Sequence, residues 1–198
     1  MAPRRGFNDD EVAQTAMRVF WEHGYRATSI DDLATASGLR KGSLHNAFGN
    51  KEDLFLLALD CYAKDLAERL DGALDDPDPF VAIQRFFDVV VARMTDPKTP
   101  DGCLTTSACA EFGDLPAKAQ ARVKAVVERT IETLTRHAEA AIKNGLLPAS
   151  SDPITQANLW FAITRGMAAL HKVTGDAAAI RTLSDEAIRP LRAGKTAA

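Results

Sequence analysis

Apolar positions recur at three- and four-residue spacing along almost the whole chain, and no stretch alternates as a half-buried strand would. Helix is therefore expected throughout, interrupted where capping and breaking residues cluster. Asn8 reads as a cap followed by Asp9, Asp10 and Glu11, with Val12, Ala16, Val19 and Phe20 behind it on one side. Ser29 and Asp32 have the spacing of a capping box, and Ile30, Leu33 and Ala34 share a face until Gly38 stops the helix. A third short helix, Lys41 to Phe48, turns Leu44 and Phe48 inward. Asn50, with Asp53 three residues on, caps a fourth helix running to about Leu70. Pro79 opens the fifth after an Asp-Pro break, and Pro97, Pro100 and Gly102 mark the next loop. A short helix from about Cys103 to Phe112 precedes a long one from Pro116 to Asn144. Asp152-Pro153 starts the eighth, which Gly175 ends, and the last spans about Asp176 to Arg192. The expectation is an all-α fold of about nine helices.

The third helix carries the most telling chemistry. With Leu44 and Phe48 committed to the interior, Arg40, Lys41, Ser43, His45 and Asn46 face outward. Two cations, a hydroxyl, an imidazole and an amide on one narrow face suit the donor and acceptor pattern of a DNA major groove. Gly42 lets the backbone come close to a phosphate. Thr28 and Ser29 offer hydroxyl and amide donors to the DNA backbone, although Ser29 is equally explained as a cap. Lys51 sits just before the first turn of the fourth helix, whose free amides also favour an anion. Arg4 and Arg5 are candidates for an arm along the duplex.

From about Phe7 to Tyr62 the sequence resembles the DNA-binding domain of the TetR family of bacterial regulators. Ala16, Phe20, Gly24, Tyr25, Thr28, Ala34, Gly38, Lys41, Gly42, Ser43, Leu44, Phe48, Lys51 and Leu54 stand where that family has them. The resemblance implies a three-helix helix-turn-helix domain over residues 5–65, its motif at about 29–48. An effector-binding and dimerisation domain would follow over 66–198. It also implies that Lys51 contacts a phosphate, and that the last two helices pair across a two-fold axis. The chain departs from the family at His45, where tyrosine is usual, and at Arg40, where a small hydroxyl residue is common. Both departures bear on which operator is read.

Composition narrows the alternatives. A chain of 198 residues, 46% of them hydrophobic, can bury a substantial core. It contains no long uncharged apolar run, and the residues after its N-terminus hold no export-signal core, so a cytoplasmic protein without a membrane span is expected. The net charge of -3 would argue against nucleic acid, but residues 1–51 carry a balance of +1. Three cysteines without CxxC spacing fit reduced thiols, and the four histidines show no metal-ligand spacing, so neither metal nor cofactor is expected. No nucleophile elbow, phosphate loop or paired-carboxylate pattern supports an enzyme.

In the second half, Phe86, Phe87, Phe112, Trp160, Met167 and His171, with Cys103, are candidates to line an apolar effector pocket. Cys103 at a helix start could alternatively be a reactive thiol, as in some TetR-like regulators, or a small core residue; Cys61 and Cys109 are placed on packed faces. Ala157, Trp160, Phe161, Thr164, Met167, Ala168 and His171 spread over so wide an arc of the eighth helix that a second partner is expected. The reading is a homodimeric repressor, joined through helices eight and nine, that binds a palindromic double-stranded operator and leaves it when a small molecule binds. The alternatives are a helical small-molecule binder without DNA affinity and a cysteine-based electrophile or redox sensor.

Overall fold

A computed structural model describes residues 8–197, and every regular element among them is helical. The elements are α1 (Asp9–Ala27), α2 (Ile30–Ser37), α3 (Lys41–Phe48), α4 (Lys51–Leu74), α5 (Pro79–Met94) and α6 (Leu104–Ala110). A 3₁₀ turn (Phe112–Asp114), α7 (Ala117–Lys143), α8 (Pro153–Thr174) and α9 (Ala177–Ala197) follow. Arg4 and Arg5 lie outside the described residues.

The caps explain the boundaries. Asn8 accepts from the Asp10 amide, and Ser29 and Asp32 form the reciprocal box at the start of α2. Asn50 and Asp53 do the same before α4, where Asn50 accepts the Glu52 and Asp53 amides and Asp53 accepts that of Asn50. Gly38 ends α2 in the left-handed region at φ 67°, which an L side chain rarely adopts. Three boundaries differ from the sequence pattern. α4 continues one turn past Leu70, α9 runs on past Arg192 to Ala197, and α6 stops at Ala110 with a 3₁₀ turn replacing its expected end. Terminal turns follow packing as much as propensity, so pattern alone places them poorly.

The chain forms two compact units, and the division falls inside α4, after Asp65, and inside α7, after Lys124. The first unit joins the N-terminal stretch through Asp65 to Leu104–Lys124; the second contains Leu66–Cys103 and everything from Ala125 on. In the first, Phe20 and Phe55 meet edge-on with centroids 4.9 Å apart, and Trp21 meets Tyr62 at 5.0 Å. Leu33 of α2 and Leu44 of α3 are almost wholly buried there. At roughly 1.5–3 kcal/mol per buried leucine, these two side chains hold the short hairpin that neither helix could sustain alone. The second unit buries Ile83, Phe87, Leu134, Trp160, Met167, Ile180 and Leu191.

Candidate nucleic-acid interface

Burial of Leu44 fixes the rotation of α3, and the rest of the helix follows. Arg40, Lys41, Gly42, Ser43, His45 and Asn46 are all exposed. Gly42 has no positive φ, and a Cβ built there would meet nothing within 4 Å. No contact among the described residues therefore requires a glycine at this position. Lys41 is paired with Asp31 of α2 at 3.0 Å, both groups well exposed, so an incoming phosphate competes with that carboxylate. The His45 ring nitrogen Nδ1 lies 3.0 Å from the Gly49 carbonyl oxygen. A carbonyl can only accept, so Nδ1 carries the proton and the outer nitrogen, Nε2, donates only when the ring is protonated.

Lys51 is more firmly held than a surface lysine. Its ammonium lies 4.3 Å from the centre of the Tyr25 ring, which is itself packed against Phe55 with centroids 4.8 Å apart. Partial burial lowers the lysine pKa from its usual 10.5, and the carboxylates of Glu111 and Asp32 push the other way. The result is a partly desolvated cation in a fixed place, suited to an anion. Burial first, and Glu52 second, raise the Tyr25 phenol above its ordinary 10.0.

Two of the nominated residues are committed elsewhere. Thr28 is 2% exposed and its hydroxyl donates to the Gly24 carbonyl at 2.7 Å, so it braces the approach to α2 and offers nothing to a duplex. The Ser29 hydroxyl is engaged by Asp32 at 2.7 Å and caps the helix. Those hydrogen bonds, the hydroxyl first, hold the Asp32 carboxyl below the usual carboxylate range. Sequence reading also missed three neighbours: Asp31 against Lys41, Tyr25 beneath Lys51, and Glu111 facing Lys51. Asp31 lies within the motif and Tyr25 shortly before it, but Glu111 comes from far along the chain and has no local signature.

In the second unit Phe86, Phe87, Trp160, Met167 and His171 are buried, whereas Phe112 belongs to the first unit and is 39% exposed. Phe112 is therefore not one of that buried set. Trp160 Nε1 is enclosed with no acceptor among the described residues. Cys103 is buried, with Arg165 Nη1 3.3 Å from its sulfur, and Arg165 also lies over the Phe161 ring. Cys61 and Cys109 are only half-buried, contrary to their expected packed positions. A separate cavity of about 710 Å³ opens between the far side of α5 and α9, walled by Arg69, Asp88, Arg93, Arg181 and Asp185 among others. None of the nominated aromatics lines it.

Comparison with known proteins agrees with this geometry. Residues 13–58 match the family described as bacterial regulatory proteins, tetR family, and residues 79–186 match the tetracyclin repressor-like C-terminal domain. The chain belongs to the TetR family. It is a DNA-binding transcriptional regulator. The HTH-type transcriptional repressor ComR of Escherichia coli is 31% identical over 81% of this chain and 78% of its own. The transcriptional regulator AcuR of Cereibacter sphaeroides is 31% identical over 75% and 71%. Among solved structures, a cysteine mutant of the TetR family regulator CifR in complex with a 26 bp double-strand operator is similar at TM-score 0.82. It is 28% identical, over 93% of this chain and 97% of that one. A TetR regulator from Chloroflexus aurantiacus reaches TM-score 0.81 at 26% identity, over 91% of each chain. Within this TetR chain, the matched residues 13–58 take in α2 and α3.

Proposed function

We propose that this TetR-family regulator is a cytoplasmic repressor that binds a palindromic operator as a homodimer and is released by a small apolar effector. It performs no catalysis on this reading. The observation that carries it is the free face of α3, with Arg40, Lys41, Ser43, His45 and Asn46 turned to solvent and Lys51 positioned beside it. Arg40 and Asn46 carry the hydrogen-bonding groups that pair with guanine and adenine edges, and Lys41 and Lys51 suit phosphates. Two such helices would enter successive major grooves about 34–36 Å apart. The similarity to ComR, a repressor, and to CifR on its operator supports this assignment.

The surface of α8 supports a dimer, but by a different face from the one the sequence suggested. Ala157, Trp160, Thr164, Met167, Ala168 and His171 are buried in their own subunit. Outward instead lie Leu159, Ala162, Gly166, Ala169, Leu170 and Val173, the last 85% exposed, with Leu183 exposed on α9. These α8 positions repeat every three or four residues and include small residues that allow close helix approach. Among the described residues no helix is long and apolar enough to cross a membrane, so the stripe suits a second copy.

The enclosed Trp160 N–H supports an effector that is mostly apolar and carries one acceptor. The Arg165 contact favours a second reading, in which Cys103 is an electrophile-sensitive thiol, because a guanidinium stabilises the thiolate. Enrichment of duplexes from a randomised pool, followed by footprinting, tests the main proposal. A two-fold symmetric protected site is expected, and recovery of no preferred duplex would reject it. Electrophile treatment that dissociates the wild type but spares Cys103→Ser would select the thiol reading.

A further inference from the structure

Glu111 follows the last residue of α6, yet its side chain is spent on the far end of α1. Its Oε2 accepts the Tyr25 amide at 2.6 Å and its Oε1 the Arg26 amide at 3.4 Å. These bonds span 86 and 85 residues of sequence and lie within the first unit. The backbone is shaped to admit the carboxylate. Gly24 breaks α1 at φ 80° and ψ 176°, and a Cβ there would come within 2.7 Å of Glu111 Oε1. That backbone angle favours glycine, and a Cβ there would displace the carboxylate from its seat. Immediately after the clamped residues, Thr28 bonds back to the Gly24 carbonyl and Ser29 caps α2. Three residues further from Glu111, Asp114 pairs with the Arg26 guanidinium at 3.1 Å.

We infer that Glu111 is a positioning residue for DNA reading: its carboxylate pins Gly24–Arg26, and through them the start of the helix-turn-helix, to the end of α6. The inference rests on the DNA-binding role of this unit and adds the group that holds its entry in place. The short Tyr25 bond carries the clamp, and the longer Arg26 contact and the Asp114–Arg26 pair second it. The same carboxylate faces Lys51 and supports its charged form. Glu111 therefore sets the pose of the hairpin and tempers the positive charge at the phosphate contact. A displacement of α6 acts on both together.

Full-length Glu111→Ala and Glu111→Gln are compared with wild type on a duplex that the wild type selects from a randomised pool and on a scrambled duplex. Both are measured at one salt concentration, with thermal melting and amide exchange recorded in parallel. Glu111→Ala should lose about tenfold or more in affinity for the selected duplex, while the scrambled duplex binds as well or slightly better. Exchange should accelerate at the Tyr25 and Arg26 amides and stay unchanged at Ile83 and Phe87. Glu111→Gln keeps one acceptor oxygen and should fall between the two. Unchanged affinity for the selected duplex, or a parallel loss on both duplexes with a lowered melting point, would overturn the positioning role. If the wild type selects no duplex, the DNA-binding assignment itself fails, and the latch with it.

Discussion

Gly42→Ala should raise stability and lower operator affinity together. Gly42 is the second residue of an eight-residue helix, exposed, without a positive φ, and with no atom within 4 Å of where a Cβ would stand. Inside the protein the substitution costs nothing sterically. Alanine is favoured over glycine in a helix by roughly 0.5–1 kcal/mol, which corresponds to about 1–4 °C in melting temperature for a chain of this size. At the DNA the methyl has the opposite effect. If a phosphate rests against the bare backbone, the Cβ pushes it out of hydrogen-bonding range, at about 1–2 kcal/mol per half-site. A dimer would lose about 2–4 kcal/mol, or roughly thirtyfold and upward in Kd. Thermal melting and fluorescence anisotropy on a selected duplex, at fixed salt, measure the two effects separately. Affinity that holds steady or improves alongside the melting temperature would show that no close backbone approach occurs at Gly42.

Four further outcomes follow. Lys51→Ala should weaken selected and scrambled duplexes alike and reduce the salt slope by about one per subunit, and a loss confined to one duplex would contradict a phosphate role. If His45 meets a phosphate, His45→Ala should weaken selected and scrambled duplexes alike by a few-fold per half-site; unchanged affinity on both would exclude the contact. Leu170→Glu or Gly166→Glu should give folded monomers with weak operator binding by light scattering, whereas Ala157→Glu, being in the core, should impair folding itself; a dimer in both surface variants would remove the α8 stripe from the interface. Burial, aided by Arg136, holds the half-buried His137 below its ordinary value of 6.5, so the unfolded chain binds its proton first. Stability from the neutral ring is present above about 6.5 and is lost as pH falls below it, so His137→Gln should shrink the drop in melting temperature between about pH 7.5 and pH 5.5; equal drops would refute this.

The sequence by itself determined what short-range chemistry controls. Caps at Asn8, Ser29, Asn50, Asp78 and Asp152 are local, because each side chain reaches an amide two or three residues ahead. The spacing of Leu44 and Phe48 fixed which side of α3 faces outward, and with it most of the reading surface. Tertiary structure decided the rest. It turned Thr28 inward, because its hydroxyl finds the Gly24 carbonyl once α1 breaks. It also chose which arc of α8 is spent on the subunit's own core. Apolar residues lie on both arcs of that helix, so periodicity could not separate the core face from the outer one. The Glu111 clamp lies deepest in this category: a carboxylate 86 residues from the amide it binds leaves no pattern in the sequence, and only packing α6 against α1 brings the two together.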